Sequence, residues 1–216
     1  MNIQVKSTEA RATQRRGDAR REQLLQAAMT LLETRDFPDV TFVAVCEKAG
    51  IPHGSARYFY PDMLALLRGL LGELGKRHDE EIERPLRGKA TQSLQALLGT
   101  LIARSARFQN NNPVCAKLTI GGHMPPEIKR LDRDADWKRA RFVLRKLDEY
   151  FLLPPHRDNE RVAYYAIEVV DTAFMLSFRE CGEVTPWWVR QAKRCSLAAF
   201  EAHFGDLKPR PARRSD

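Results

Sequence analysis

The sequence predicts an all-α protein, and three observations carry that prediction. Apolar residues recur with the 3.6-residue helical period along nearly the whole chain. No run of alternating β-branched residues bounded by turn signals suggests a strand, and the breaks between periodic segments hold proline, glycine or asparagine. The 216 residues are 43% hydrophobic and 30% charged, apolar enough for a folded chain made of a small module and a larger one. There is no stretch of 18 apolar residues and no amino-terminal apolar run ending in a small-residue cleavage site. Membrane spanning and secretion are disfavoured, and the cytoplasm is the expected compartment.

The elements follow in order. Residues 1–17 hold Lys6, Arg11, Arg15 and Arg16 with almost no apolar periodicity, which reads as a flexible basic arm. Asp18 is placed to cap a first helix whose Leu24, Leu25, Ala28, Leu31 and Leu32 form one stripe, and Phe37 and Pro38 end it. Thr41 can cap a short second helix through Lys48, because its hydroxyl accepts one of the unpaired N–H groups of the first turn. Ala49 and Gly50 break that helix. Pro52 suits the first position of a third helix to about Phe59, since its missing N–H would be unpaired there anyway. Pro61 opens a long fourth helix to about Arg84, buried through Leu64, Leu67, Leu70, Leu71 and Leu74 and ended by Pro85 and Gly88. Further helices are expected near 91–109, 114–121, 125–151, 159–181 and 185–204, about nine in total, and 207–216 read as a second basic tail interrupted by Pro209 and Pro211.

Thirty-six lysines and arginines against 28 acidic residues leave a net charge of +8, a field that favours an anionic partner. Cys46, Cys115, Cys181 and Cys195 have neither C-x-x-C nor zinc-ligand spacing and read as reduced thiols used as small apolar residues, so no metal or other cofactor is expected. Neither the H-E-x-x-H, G-x-S-x-G, G-x-G-x-x-G and P-loop patterns nor a histidine three residues after a glutamate is present, and no enzyme active site is expected.

The informative stretch is 41–60, TFVAVCEKAGIPHGSARYFY, which reads as helix, tight turn, helix. Val45 and Cys46 face inward, Ala49 lets the two helices approach, and Gly50 can take the positive φ of the turn. The second of these helices presents His53, Gly54, Arg57 and Tyr58. Gly54 permits close backbone approach, Arg57 can fork onto guanine O6 and N7, and Tyr58 can reach a phosphate. Basic residues just ahead, Arg16 and Arg20 among them, can reach phosphates or an adjacent minor groove.

Residues 20–67 resemble the amino-terminal domain of the tetracycline-repressor-like (TetR) transcriptional regulators. The likeness lies in RREQLLQAAMTLLETRDF, then Thr41, then VCEKAGIPHGSARYFYP and an apolar helix from Met63. It implies a helix-turn-helix DNA-binding domain over 18–62 and a helical effector-binding and dimerisation domain over 63–206. It implies a homodimer on double-stranded operator DNA, a repressor released by a small-molecule effector, paired through helices 159–181 and 185–204. By the same likeness, Thr41 and Tyr58 match phosphate-touching positions and Gly54 and Ser55 match the small and hydroxyl residues that start the recognition helix. Pro52 opens that helix, His53 holds a variable position that helps set sequence preference, and Arg57 stands where tyrosine is common. Met63 replaces a phosphate-gripping lysine and Val43 a polar residue. Lys48, Arg57 and the arm arginines are the expected compensation.

Within the larger domain, 162–178 is apolar nearly all round, which requires enclosure on more than one side, as a second subunit would supply. Glu168 and Asp171 share a face there. They are candidate anchors for a cationic or hydrogen-bonding effector, or else partners of arginines such as Arg104 and Arg107. Trp137, Phe174 and Phe178 can line a pocket or simply fill the core, and His123 lies in a turn that can border a pocket or equally face solvent. Of Trp187 and Trp188, one is expected to face inward and the other to be more exposed.

Overall fold

The computed structural model describes the backbone of residues 3–121 and 126–211, and the side chains of 14–121, 129–130 and 133–211. Nine α-helices and two short 3-10 turns are the helical elements among the described residues, as the helical period requires. The chain divides into two compact units, Met1–Glu73 and Leu74–Asp216, with the division inside one long helix. None of the described helices is long and apolar enough to cross a membrane.

The first unit contains α1 (Ile3–Thr34), α2 (Phe42–Ala49), α3 (His53–Phe59) and the start of α4 (Met63–Glu83). α1 packs against α2 and α3. Its core is made by Leu24, Ala28 and Leu32 of α1, Val45 and Cys46 of α2, Ala56 of α3, and Leu66 and Leu67 of α4, all buried. Each fully buried leucine of this set contributes roughly 1.5–3 kcal/mol. Tyr60 lies so close to α4 that a Cβ at position 69 would come within 2.9 Å of its ring, so glycine at 69 gives the ring its place.

The amino end differs from expectation. Residues 3–17, expected as a flexible arm, continue α1 without a break, and Asp18 sits inside the helix rather than capping it. The cause is local: no proline occurs before Pro38, and alanine, arginine, glutamine and glutamate are good helix formers. The Asp18 carboxylate accepts from Arg21 at 3.0 Å, one turn on. The fourth helix is likewise capped by Asp62, whose Oδ1 accepts from the Ala65 amide at 2.7 Å, so it starts after the proline at 61 and not on it.

The second unit contains the rest of α4 with α5 (Leu94–Asn111), α6 (Pro113–Thr119), α7 (Pro126–Tyr150), α8 (Asn159–Cys181) and α9 (Pro186–Phe204). α8 packs along both α7 and α9, and α5 packs against α9 and α6. One buried cluster gathers Leu97, Leu147, Phe151, Ala163 and Phe200; another gathers Ile102, Val170, Phe174 and Ala192. The α8–α9 turn is pinned by Ser177, which donates to the Glu183 carbonyl and accepts from the Thr185 amide, both at 2.8 Å. Asn110 holds the same turn from α5, exchanging two bonds with the Val184 backbone at 2.8 and 3.0 Å. Trp187 is exposed, while Trp188 packs on the second cluster and donates to Glu180 at 3.1 Å.

Two further expectations are corrected here. The start of the carboxy-terminal segment is docked: Leu207 is buried, the Lys208 carbonyl accepts from the Leu152 amide at 2.9 Å, and Arg210 bonds the Asp148 carboxylate at 2.6 Å and its carbonyl at 2.8 Å. The prolines forbid a helix but not a strap, because the segment's backbone groups find partners at the end of α7. Cys46 and Cys115 are buried as small apolar residues, whereas Cys181 and Cys195 are exposed because their helix positions turn outward; all four are free thiols.

Gly50 takes φ 65°, and a Cβ there would meet no atom within 4 Å, so the strain of any other residue is purely conformational. Gly50→Ala is expected to destabilise the protein by about 1–2 kcal/mol. Urea unfolding with an unchanged m-value is the measurement; an unshifted midpoint contradicts the left-handed turn.

Candidate functional site

The surface built around α3 starts from α2. Thr41 Oγ1 accepts the Ala44 amide at 3.2 Å and fixes where α2 begins. At its other end the Gly50 amide bonds the Glu47 carbonyl and the Ile51 amide bonds the Cys46 carbonyl, each at 3.1 Å, which closes the helix on a left-handed glycine while Ile51 is buried. Pro52 then caps α3, its carbonyl accepting from the Ser55 and Ala56 amides at 2.9 Å.

α3 buries only Ala56. Every other side chain on it is therefore outside or at the edge: His53, Gly54, Ser55 and Arg57 are exposed, and Tyr58 is 83% exposed. The His53 ring is held edge-on to Phe42 at 5.5 Å, and Tyr58 stands edge-on to Phe59 at 5.3 Å. Phe59 also lies beneath the Arg21 guanidinium, 5.5 Å from ring centre, a cation–π contact that ties α1 to the end of α3. Thr41, Lys48, Pro52, Arg16 and Arg20 are exposed as well. Gly54 has helical backbone and open space beside it, so nothing within the protein requires a glycine at that position.

The second unit contains a partly open cavity of about 70 Å³. Its walls are largely aliphatic and aromatic, with His78, Ser105, Asp136, Arg139, Asp171 and Ser196 as polar lining. His78 is 6% exposed and its Nε2 lies 3.0 Å from Ser105 Oγ. Burial, and after it the nearby Arg139 charge, push the imidazole down to about 3, so it is neutral. Asp136, 4% exposed, accepts from Arg139 at 2.6 Å, and Asp79 accepts from the same guanidinium at 3.3 Å.

Of the residues expected at an effector site, Asp171 lines this cavity. Trp137 instead stacks on Tyr164 with ring centres 4.3 Å apart. Burial, and after it the hydrogen bond that the Tyr164 hydroxyl donates to the Glu168 carboxylate, push that phenol up to about 12. Phe174 is fully buried as core and Phe178 packs on the same cluster. Arg104 does not pair with either acid; it donates to the Ile82, Arg84 and Pro85 carbonyls at 3.1, 2.6 and 3.2 Å, closing the end of α4. His123 lies outside the described residues. The sequence does not single out the other polar residues that line the cavity, although His78 leaves a signal: it follows Leu67, Leu70, Leu71 and Leu74 on the apolar stripe of α4, where a titratable residue is unusual.

No protein-family model matches the sequence, and no curated protein is similar to it in sequence. Solved structures do share its fold. A TetR-family transcriptional regulator from Streptomyces coelicolor matches at TM-score 0.66 and 18% identity, over 85% of this chain and 98% of that one. A TetR regulator from Haloarcula marismortui ATCC 43049 matches at 0.61 and 17%, over 88% and 100%. The flavonoid-responsive regulator FrrA matches at 0.56 and 15%, over 89% and 99%. The chain has the fold of the TetR-family regulators.

The neutral state of His78 has a pH consequence. Its folded value lies below the ordinary 6.5, so the unfolded chain takes the proton first; the stability it contributes is complete above about pH 6.5 and is lost as pH falls toward 3. Comparing His78→Gln with the parent in urea melts between about pH 4 and 6.5 should show the parent's dependence steeper by up to roughly 1.4 kcal/mol per pH unit. Parallel profiles would contradict a buried neutral imidazole.

Proposed function

We propose that the protein is a homodimeric DNA-binding transcriptional regulator, a repressor released from its operator by a small molecule. The observation that carries this reading is that α3 is anchored by Ala56 alone and holds its other side chains outward, on an α-helix whose width suits the major groove. In this reading Arg57 forks onto guanine and His53 and Ser55 meet neighbouring base edges. Thr41, Tyr58, Lys48, Arg16 and Arg20 take phosphates. Pro52 sets the start of α3, and Gly54 lets its backbone approach the duplex. The helical extension of α1 carries Arg15 and Arg16 on a rod rather than on a loose arm.

The module through residue 62 makes these contacts, and the helices of 63–206 pair the subunits and take the effector. Tyr165 on α8 and Trp187 on α9, 60% and 52% exposed, are large apolar side chains that a mate would cover. A dimer then sets two α3 helices about 34–36 Å apart on a pseudo-palindrome. The cavity supports an effector, as does the fold's likeness to a regulator described as flavonoid-responsive. An effector that prefers another helix arrangement lowers DNA affinity, and α4, with residues in both units, is the element that transmits it.

Fluorescence anisotropy with the duplex upstream of the chain's own reading frame, against a scrambled duplex at two salt concentrations, tests this. A preference of about a thousandfold or more is expected. Equal, steeply salt-dependent binding to both would point to an architectural DNA protein, and no binding at low salt would end the DNA reading. Arg57→Ala should cost about 1–3 kcal/mol and relax preference at one base pair. Gly54→Ala should raise stability by about 0.4–1 kcal/mol while weakening operator binding; a stabilised variant that binds as the parent does removes Gly54 from the interface.

A further inference from the structure

We propose that Phe42 is a positioning residue for DNA recognition: its ring, at the start of α2, pre-sets the His53 imidazole at the start of α3 for the base edge it reads. The proposal deepens the DNA-binding reading and rests on it.

Both rings stand on the first residue of a helix whose start is fixed. Thr41 caps α2, which makes Phe42 its first residue, and Pro52, at φ −55° and ψ 137°, leads into α3, which makes His53 the first there. Each start is tied by hydrogen bonds, the Ala44 amide to Thr41 Oγ1 and the Ser55 and Ala56 amides to the Pro52 carbonyl, so neither backbone can turn its ring elsewhere. The ring centres lie 5.5 Å apart with their planes at 72°, the edge-to-face arrangement that aromatic rings prefer to a face-to-face stack. Phe42 is half-buried and His53 exposed, so the contact holds one flank of the imidazole and leaves the remainder to solvent.

The other exposed ring of α3 is not held in this way. Tyr58 stands edge-on to Phe59, its neighbour on the same helix. The ring that α1 holds at that end, under Arg21, is Phe59, which is half-buried. Among the described residues, His53 is thus the exposed ring of α3 that another helix holds directly. Core packing gives no reason for a phenylalanine at 42, because the core there closes on Val45, Cys46 and Ile51, and Phe42 lies at its edge.

The consequence is entropic. A surface imidazole gives up rotamer freedom when it docks on a base; one already confined gives up less, and the difference appears as affinity. Bases that need another rotamer gain nothing from the confinement. The same contact therefore sharpens preference at one base pair.

Proton resonances of the imidazole and base-by-base competition test the role together. In the full chain without DNA, the His53 ring signals, assigned by their loss in His53→Ala, should shift in Phe42→Leu and stay near their parent positions in Phe42→Tyr, which keeps a ring. Against the upstream duplex and its single base-pair substitutions, Phe42→Leu should lower affinity roughly two- to tenfold. The loss should fall at the one base pair whose preference His53→Ala also relaxes, and adding Phe42→Leu to His53→Ala should change the profile no further. Where Phe42→Leu loses helix content, Phe42→Met serves. Unmoved resonances, a loss spread evenly over all base pairs, an additive double variant, or a Phe42→Tyr protein that behaves like Phe42→Leu each overturn the positioning role. A parent that prefers no duplex overturns the DNA reading and this role with it. A parent that discriminates while Phe42→Leu matches it overturns the role alone.

Discussion

A left-handed residue at position 50 is the constraint from which the rest of the first unit follows. The chain must leave α2 and enter α3 within three residues, and it must do so without stranding the carbonyls at the end of α2. The amides of Gly50 and Ile51 meet that requirement, and the geometry sets φ at 65°. Ile51 then goes inward as Pro52 begins the next helix, which fixes the rotation of α3 about its axis. With that rotation set, Ala56 is the one side chain of α3 that points into the core, and its small size brings the helix close. The exposure of Arg57 and Tyr58 is a consequence of this closure, since a seven-residue helix with one inward position has nowhere else to put them.

Much of this was legible because helix ends are written in local chemistry. Thr41 caps α2 as its hydroxyl suggested, Gly50 takes the positive φ, and Pro113 and Pro186 stand at the starts of α6 and α9. The ends of the chain were less legible, for opposite reasons. At the amino end, absence of apolar periodicity suggests absence of helix, but periodicity reports burial and not helicity. A polar stretch of good helix formers can extend an existing helix without a new nucleus. At the carboxy end, basic residues and prolines looked like a free tail. The strap that forms there depends on the Asp148 carboxylate and on backbone groups around residue 151, partners sixty residues away in sequence. No local pattern encodes such a contact.

The candidate cavity shows the same limit at finer scale. Glu168 and Asp171 share a face by spacing, yet three residues of α-helix turn through about 300°, which leaves their side chains roughly 60° apart. That difference sends Glu168 to Tyr164 and Asp171 to the cavity. The aromatic residues Phe174 and Phe178 went to the core for an equally physical reason: α8 is apolar on several sides, and the inward side is the one that fills with large rings. Polar residues on an apolar stripe were the better signal, and His78 is the case in point.

Stability alone gives little reason for that polar set. A buried ion pair is commonly no more stabilising than well-packed apolar side chains of similar volume, and a neutral imidazole beside a serine adds at most a modest hydrogen bond. Leucines in place of His78, Asp136 and Arg139 would suit the surrounding walls at least as well. In the proposed effector reading a polar set of this kind serves discrimination, because a wall with polar groups distinguishes occupants that an aliphatic wall would treat alike. Discrimination has value only if occupancy is felt elsewhere. In the proposed function, linkage requires that an occupant favouring one arrangement of α4 by a given factor be disfavoured by the same factor when DNA holds α4 in the other. In the proposed reading, choice of occupant and release of DNA are one free energy viewed from two ends of a helix.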